Sequence, residues 1–80
     1  MRVLVRGMSS DVTEQMLRDK VEPHAKVVSV EIVREGDAQH PWALLELDVD
    51  LLTGWKLVHH LDRQYFAGGI TRWHVPAYQS

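Results

Sequence analysis

Two short stretches alternate so strictly between apolar and polar positions that they leave little choice about how the chain folds. In Trp42-Ala43-Leu44-Leu45-Glu46-Leu47, preceded by His40 and Pro41, residues Ala43, Leu45 and Leu47 fall on one side of a strand, and Trp42, Leu44 and Glu46 on the other. Arg2-Val3-Leu4-Val5-Arg6 does the same, with Val3 and Val5 on one face and Arg2, Leu4 and Arg6 on the other. Each is a half-buried strand. One face requires a core, and the opposite face carries a tryptophan, two leucines and two arginines that need another explanation.

The intervening segments supply the core's other layer. Residues 7–11 have turn chemistry, and either Asp11 or Thr13 can cap a helix predicted over residues 13–21. Glu14 comes three residues after Asp11, at capping-box spacing, and suits the helix N-terminal dipole. Leu17 and Val21, with Met16 beside them, give that helix an apolar face, and Pro23 ends it. Residues 27–33 are rich in β-branched side chains and read as a second strand with Val28, Val30 and Ile32 inward. Gly36, Asp37 and Pro41 punctuate the loop after it. A second helix over residues 50–61, capped by Asp48 or Asp50, carries Leu51, Gly54, Leu57, Val58 and Leu61 at helical spacing. Residues 62–69 form a connection, and residues 70–75 a last strand stopped by Pro76. In that strand Thr71, Trp73 and Val75 are assigned to the core, because the opposite choice would bury Arg72 without a partner.

Eighty residues make one domain, residues 1–76, with a short tail over residues 77–80. No cysteine is present, so no disulfide or thiolate metal cage can hold the fold together. A composition of 45% hydrophobic and 25% charged residues is that of a chain that folds on its own. The formal net charge of −2 argues against coating nucleic acid by bulk electrostatics, so any basic surface must be local. No apolar run approaches the roughly 20 residues needed to span a bilayer, and the first residues enter a strand without a signal-like segment. The expectation is a cytoplasmic protein with no membrane partner.

The order strand, helix, strand, strand, helix, strand is a split βαβ arrangement: an α+β, ferredoxin-like βαββαβ sandwich. Right-handed crossovers place both helices on one face of a four-stranded antiparallel sheet, with the first and third strands central and the last flanking the first. The other face is open.

The chain resembles an RNA recognition motif (RRM) domain over residues 2–75. Val3-Leu4-Val5-Arg6-Gly7-Met8 resembles the family's hexamer on the first strand, and residues 40–47 its octamer on the third. Val12-Thr13-Glu14-Gln15-Met16-Leu17 is similar to the family's first-helix opening, and Gly54, Leu57, Val58, Leu61 and Asp62 match its second-helix pattern. The resemblance implies binding of single-stranded RNA on the open sheet, with aromatic side chains stacking bases and a basic octamer residue meeting phosphate. Here the hexamer's stacking position is Leu4 and the octamer's fifth-place aromatic is Leu44. The basic lead residue is His40, Pro41 replaces the usual glycine, and Trp42 alone keeps an aromatic in place. Modest binding with little sequence discrimination is expected.

The candidate RNA-binding residues are therefore Arg2, Leu4, Arg6, His40, Trp42, Leu44, Arg72 and His74. Trp42 would stack, Leu4 and Leu44 would support a base, and the arginines would position the backbone. Cross-strand ion pairing with Glu31 and Glu46 is the alternative use of those arginines. The apolar patch at Leu4, Leu44 and Trp42 equally suits a protein partner or a homodimer, which is the second functional reading. Five histidines are scattered along the chain, and adjacent His59 and His60 cannot share a helical face, so no metal site is expected. His40 and His74 read as pH-sensitive members of the open face. Ser9 and Ser10 have no identifiable base and no phosphate-cradling glycine loop occurs, so no catalytic residue, cofactor or enzyme activity is expected. The similar acylphosphatase architecture uses an asparagine, and this chain contains none. Trp55 and Trp73 read as packing residues.

Overall fold

A computed structural model describes residues 1–76; the predicted tail over residues 77–80 lies outside the described residues. The elements in chain order are β1 (Arg2–Arg6), α1 (Glu14–Val21), β2 (Val27–Val33), β3 (Trp42–Leu47), α2 (Leu51–Leu61), β4 (Tyr65–Phe66), β5 (Gly69–Ile70) and β6 (Arg72–His74). Four strands form one sheet in the order β2-β3-β1-β6, every pair antiparallel, and β4 and β5 make a separate hairpin. This is the ferredoxin-like α+β fold, with β1 and β3 central as the right-handed crossovers require.

Val3 and Val5 on β1, and Ala43, Leu45 and Leu47 on β3, are buried together with Leu17 and Val21 from α1 and Leu57, Val58 and Leu61 from α2. The alternation reaches back to Pro41, whose side chain is also fully buried. Thr71 and Trp73 are buried as expected. The Trp73 indole N–H donates to Thr71 Oγ1 at 2.9 Å, and that hydroxyl donates to the Gln64 carbonyl at 2.9 Å, so neither polar group is stranded in the core.

Local chemistry sets the helix ends. Thr13, not Asp11, caps α1, its Oγ1 accepting from the Met16 N–H at 3.2 Å. Asp50 caps α2, its Oδ1 accepting from the Thr53 N–H at 2.7 Å. Arg34, at the exit of β2, donates to the carbonyls of Ser10 and Val12, each at 2.7 Å, and ties the long β2–β3 loop to the segment leading into α1.

Three expectations need correction. Val28, expected inward, is 55% exposed, because the register shifts between Val27 and Ser29 against β3. A bulge adds one unpaired residue and resets the alternation, so Val27 and Val30 become the buried residues of β2. On α2, Leu51 and Trp55 are exposed, because the helix packs through the narrower stripe of Gly54, Leu57, Val58 and Leu61 and both lie on its flank. The last strand begins at Arg72 rather than at residue 70, since Ile70 pairs with Tyr65 in a hairpin where the sequence predicts only a plain connection. The hairpin's two-residue turn has both Ala67 (φ 54°) and Gly68 (φ 87°) in left-handed conformations, the geometry of a primed turn.

Candidate functional site

The open face of the sheet is arranged in rows across the strands. Leu4 lies opposite Leu44 on one side and His74 on the other, and Leu44 in turn faces Glu31. Arg6 lies opposite Arg72, and Trp42 opposite Val33. Arg2 pairs with Glu46, which pairs with Ser29. All eight candidate residues are at or beside this face, because each strand presents the side chains of one parity.

They do not form a single site. Leu4, Arg6, Gly7, His40, Pro41 and Trp42 line one concavity of about 500 Å³ at the end of the sheet nearest the β2–β3 loop. Arg2 and Leu44 line a second hollow of about 280 Å³ at the far end, with Ser29, Glu31, Leu45 and Glu46. Arg72 and His74 are exposed on β6, beyond β1 from Trp42. Trp42 is 38% exposed, which leaves part of the indole open to the larger concavity. The sequence marks Gly7 as part of a motif but not as a site residue. Its backbone lines the concavity, and its φ of 91° is open to glycine and strained for other residues.

Two charged groups of the face pair with partners other than a cross-strand arginine or glutamate. Glu46 Oε2 accepts from the Met1 ammonium at 2.7 Å. Arg72 Nε donates to Asp62 Oδ1 at 3.0 Å, an acid outside the sheet. Among the described residues the Arg6 guanidinium makes no ion pair and no hydrogen bond, so it is available at the lip of the concavity. At the opposite lip His40 Nδ1 lies 2.9 Å from Asp37 Oδ2, and this hydrogen bond holds the Asp37 carboxyl below the usual carboxylate range. Asp37 also accepts from the Gln39 N–H at 3.1 Å, which folds the loop end into a turn that presents His40.

Asp62 reads in the sequence only as a helix-pattern residue, and nothing around it announces its role. Its Oδ1 accepts the Trp73 N–H at 2.9 Å as well as Arg72 Nε, joining the end of α2 to β6. The Trp73 N–H holds the Asp62 carboxyl below the usual range against the opposing effect of burial, and the Arg72 guanidinium adds to it. A depressed native pKa means stability that is fully present above the unfolded value of about 4 and lost as pH falls through the native value. The Asp62→Asn variant should therefore be less stable than the parent by about 1–2 kcal/mol near neutrality, a gap that closes below about pH 4. Urea titrations at several pH values measure it, and a gap independent of pH would deny the carboxylate this role.

Among the described residues no group of three or more histidine, aspartate or glutamate side chains could hold a metal ion. The rings of His24 and His60 do meet, with centroids 5.3 Å apart. No helix among the described residues is long and apolar enough to cross a membrane.

Solved structures that share the fold include that of the RNA binding protein PG1, at 16% identity and a TM-score of 0.82, covering all of this chain and 98% of that one. The Mip6 RRM3 domain is similar at 18% identity and a TM-score of 0.82, over 96% of this chain and 92% of that one. The MEC-8 C-terminal RRM domain bound to AGCACA is similar at 17% identity and a TM-score of 0.78, over 99% and 93%. No family model matches the sequence, and no curated protein does. The likeness is one of backbone architecture, a four-stranded antiparallel sheet with two helices.

Proposed function

We propose that this domain binds single-stranded RNA across the open face of its sheet, with modest affinity and little sequence discrimination. The observation that carries this reading is the concavity that sets the exposed part of Trp42 beside the uncommitted guanidinium of Arg6. A base lying on the indole would place its backbone within reach of Arg6. Leu4 and Leu44, directly opposed at the centre of the face, would support a neighbouring base by apolar contact. Arg2, Arg72, His40 and His74 surround them as positioning groups. The RNA-binding description of PG1 and the AGCACA bound to the MEC-8 domain support the same use of the fold.

Sequence discrimination would be low because stacking accepts any base, and because the central positions Leu4 and Leu44 have no hydrogen-bonding side-chain atoms to read a base edge. Three arginine–phosphate contacts predict a shallow salt dependence, with log K falling against log salt by a slope of about −2. Binding of a fluorescein-labelled, mixed-sequence octaribonucleotide, monitored by anisotropy, tests the reading. Trp42→Ala should weaken binding by about 5- to 150-fold, the equivalent of one lost stacking platform, while the far-ultraviolet dichroism stays unchanged. An unaltered affinity would remove Trp42 from the site.

The Leu4–Leu44 pair also favours a second reading, a protein-contact or self-association face. Amide shifts on β1 and β3 that track protein concentration in the absence of RNA would support it over the first.

A further inference from the structure

The β4–β5 hairpin extends the open face beyond the sheet and places an aromatic side chain there. From Ile70 to His74 exposure alternates without a break: Ile70, Arg72 and His74 are exposed, Thr71 and Trp73 buried. Ile70 therefore projects on the same side as Arg72, away from the helices. Its cross-strand partner is Tyr65, and residues directly opposed in an antiparallel pair share a face, so Tyr65 projects to that side too. The neighbouring pair gives an independent check. Phe66 packs against the core with the Lys20 ammonium of α1 5.7 Å from its ring centre, which puts Phe66 on the helical side and Tyr65 on the opposite one.

We propose that Tyr65, backed by Ile70, is a second stacking platform for single-stranded RNA, separated from Trp42 by Arg6 and Arg72. This rests on the RNA-binding reading above and extends it to residues outside the two motif strands. Tyr65 is 71% exposed and Ile70 59% exposed, a large apolar surface for a hairpin that contributes only Phe66 and Ala67 to the core's margin. Neither the Tyr65 hydroxyl nor its ring has a partner among the described residues.

The hairpin is held firmly. The Ser9 N–H donates to the Ala67 carbonyl at 2.8 Å, the Thr71 N–H to the Gln64 carbonyl at 2.9 Å, and the Arg63 N–H to the Thr71 carbonyl at 2.8 Å. Gly7 lies so close to the Ile70 carbonyl that a side chain there would overlap it. An exposed aromatic on an anchored backbone loses little freedom when it binds, which favours recognition. The charge pattern selects the ligand. Arg6 and Arg72 are directly opposed on β1 and β6, between β3, which carries Trp42, and the separate β4–β5 hairpin, which carries Tyr65. Asp62 engages only Nε of Arg72, which leaves its terminal nitrogens for another acceptor. Cationic side chains between two aromatic ones suit a chain of bases joined by phosphates.

The test uses the same labelled octaribonucleotide and the full chain. Tyr65→Ala should weaken binding at least about fivefold, and Tyr65→Phe, which keeps the ring and drops the hydroxyl, should stay within about twofold of the parent. Because Tyr65 is exposed, both variants should unfold at the parent's urea midpoint, and Tyr65→Phe remains informative if the alanine variant does not. Parental affinity in Tyr65→Ala alongside weakened binding in Trp42→Ala would overturn this proposal and leave the RNA-binding reading standing. Loss of concentration-dependent self-association in Tyr65→Ala, with RNA affinity intact, would assign the residue to a protein contact and overturn it as well. Absence of RNA binding by the parent protein would defeat both.

Discussion

Truncating Leu45 to alanine is expected to destabilise the domain by about 2–5 kcal/mol, whereas the same change at adjacent Leu44 should cost only about 1 kcal/mol. The two residues share a strand, a residue type and a change in volume, and differ in the side of the sheet they occupy. Leu45 has no exposed surface and lies between Val3 of β1 and Val30 of β2, at the middle of the single core. Its loss leaves a cavity that a sheet pinned on both sides cannot close. Leu44 is half-buried on the open face, between Leu4 and Glu31, where water fills the space it vacates. A small domain has about 5–15 kcal/mol of stability in all, so the first variant should show a sharply lower urea midpoint and the second a minor shift. Equal losses would mean that the two faces have been exchanged.

Gly7→Ala should cost about 2–4 kcal/mol, although it adds a single methyl group at a turn. Two effects combine. The backbone at position 7 has φ of 91°, which strains any residue with a side chain, and a Cβ there would overlap the Ile70 carbonyl oxygen. That neighbour is main chain, which cannot rotate away as a flexible side chain would. Relief requires the β4–β5 hairpin to move off the turn, so the variant should also lose amide protection at Ser9, whose N–H bonds to Ala67. Hydrogen exchange and urea denaturation together test the prediction, and a loss below about 1 kcal/mol with Ser9 still protected would contradict it.

The central strands are legible in the sequence because their pattern is redundant. Arginines flank Val3 and Val5, and Glu46 stands between Leu45 and Leu47, so only one parity avoids burying charge. The same cost places Trp73 inside on the strength of Arg72 beside it. β2 lacks such a marker at its start: Val27 and Val28 are equally apolar, and the bulge that separates them arises from pairing with β3. α2 misleads in the opposite direction, since Leu51 and Trp55 continue an apolar pattern onto a flank that no element covers.

The site is legible in its face but not in its division. Parity puts Leu4 and Leu44 together, yet the two concavities depend on where the β2–β3 loop folds back, which the Asp37–His40 turn and Arg34 decide from a distance. Tyr65 escapes a sequence reading because two-residue strands give no periodic signal, and the turn at Ala67-Gly68 lacks the asparagine or aspartate that usually marks a primed turn. One clue is present: Ile70 shares its parity with Arg72 and His74, so a partner opposite Ile70 would share their side.

The irregularity at Val28 bears on how the sheet ends. A straight outer strand offers a row of unused amides on which a strand from another molecule can assemble, the first step of aggregation. On one margin the kink at Val28 interrupts that row; on the other, Asp62 occupies the outward N–H of Trp73 and the β4–β5 hairpin guards the start of β6. The kink shortens the regular β2 border to residues 29–33 and the β6 border is blocked, so growth by strand addition is hindered while the broad face stays uncovered.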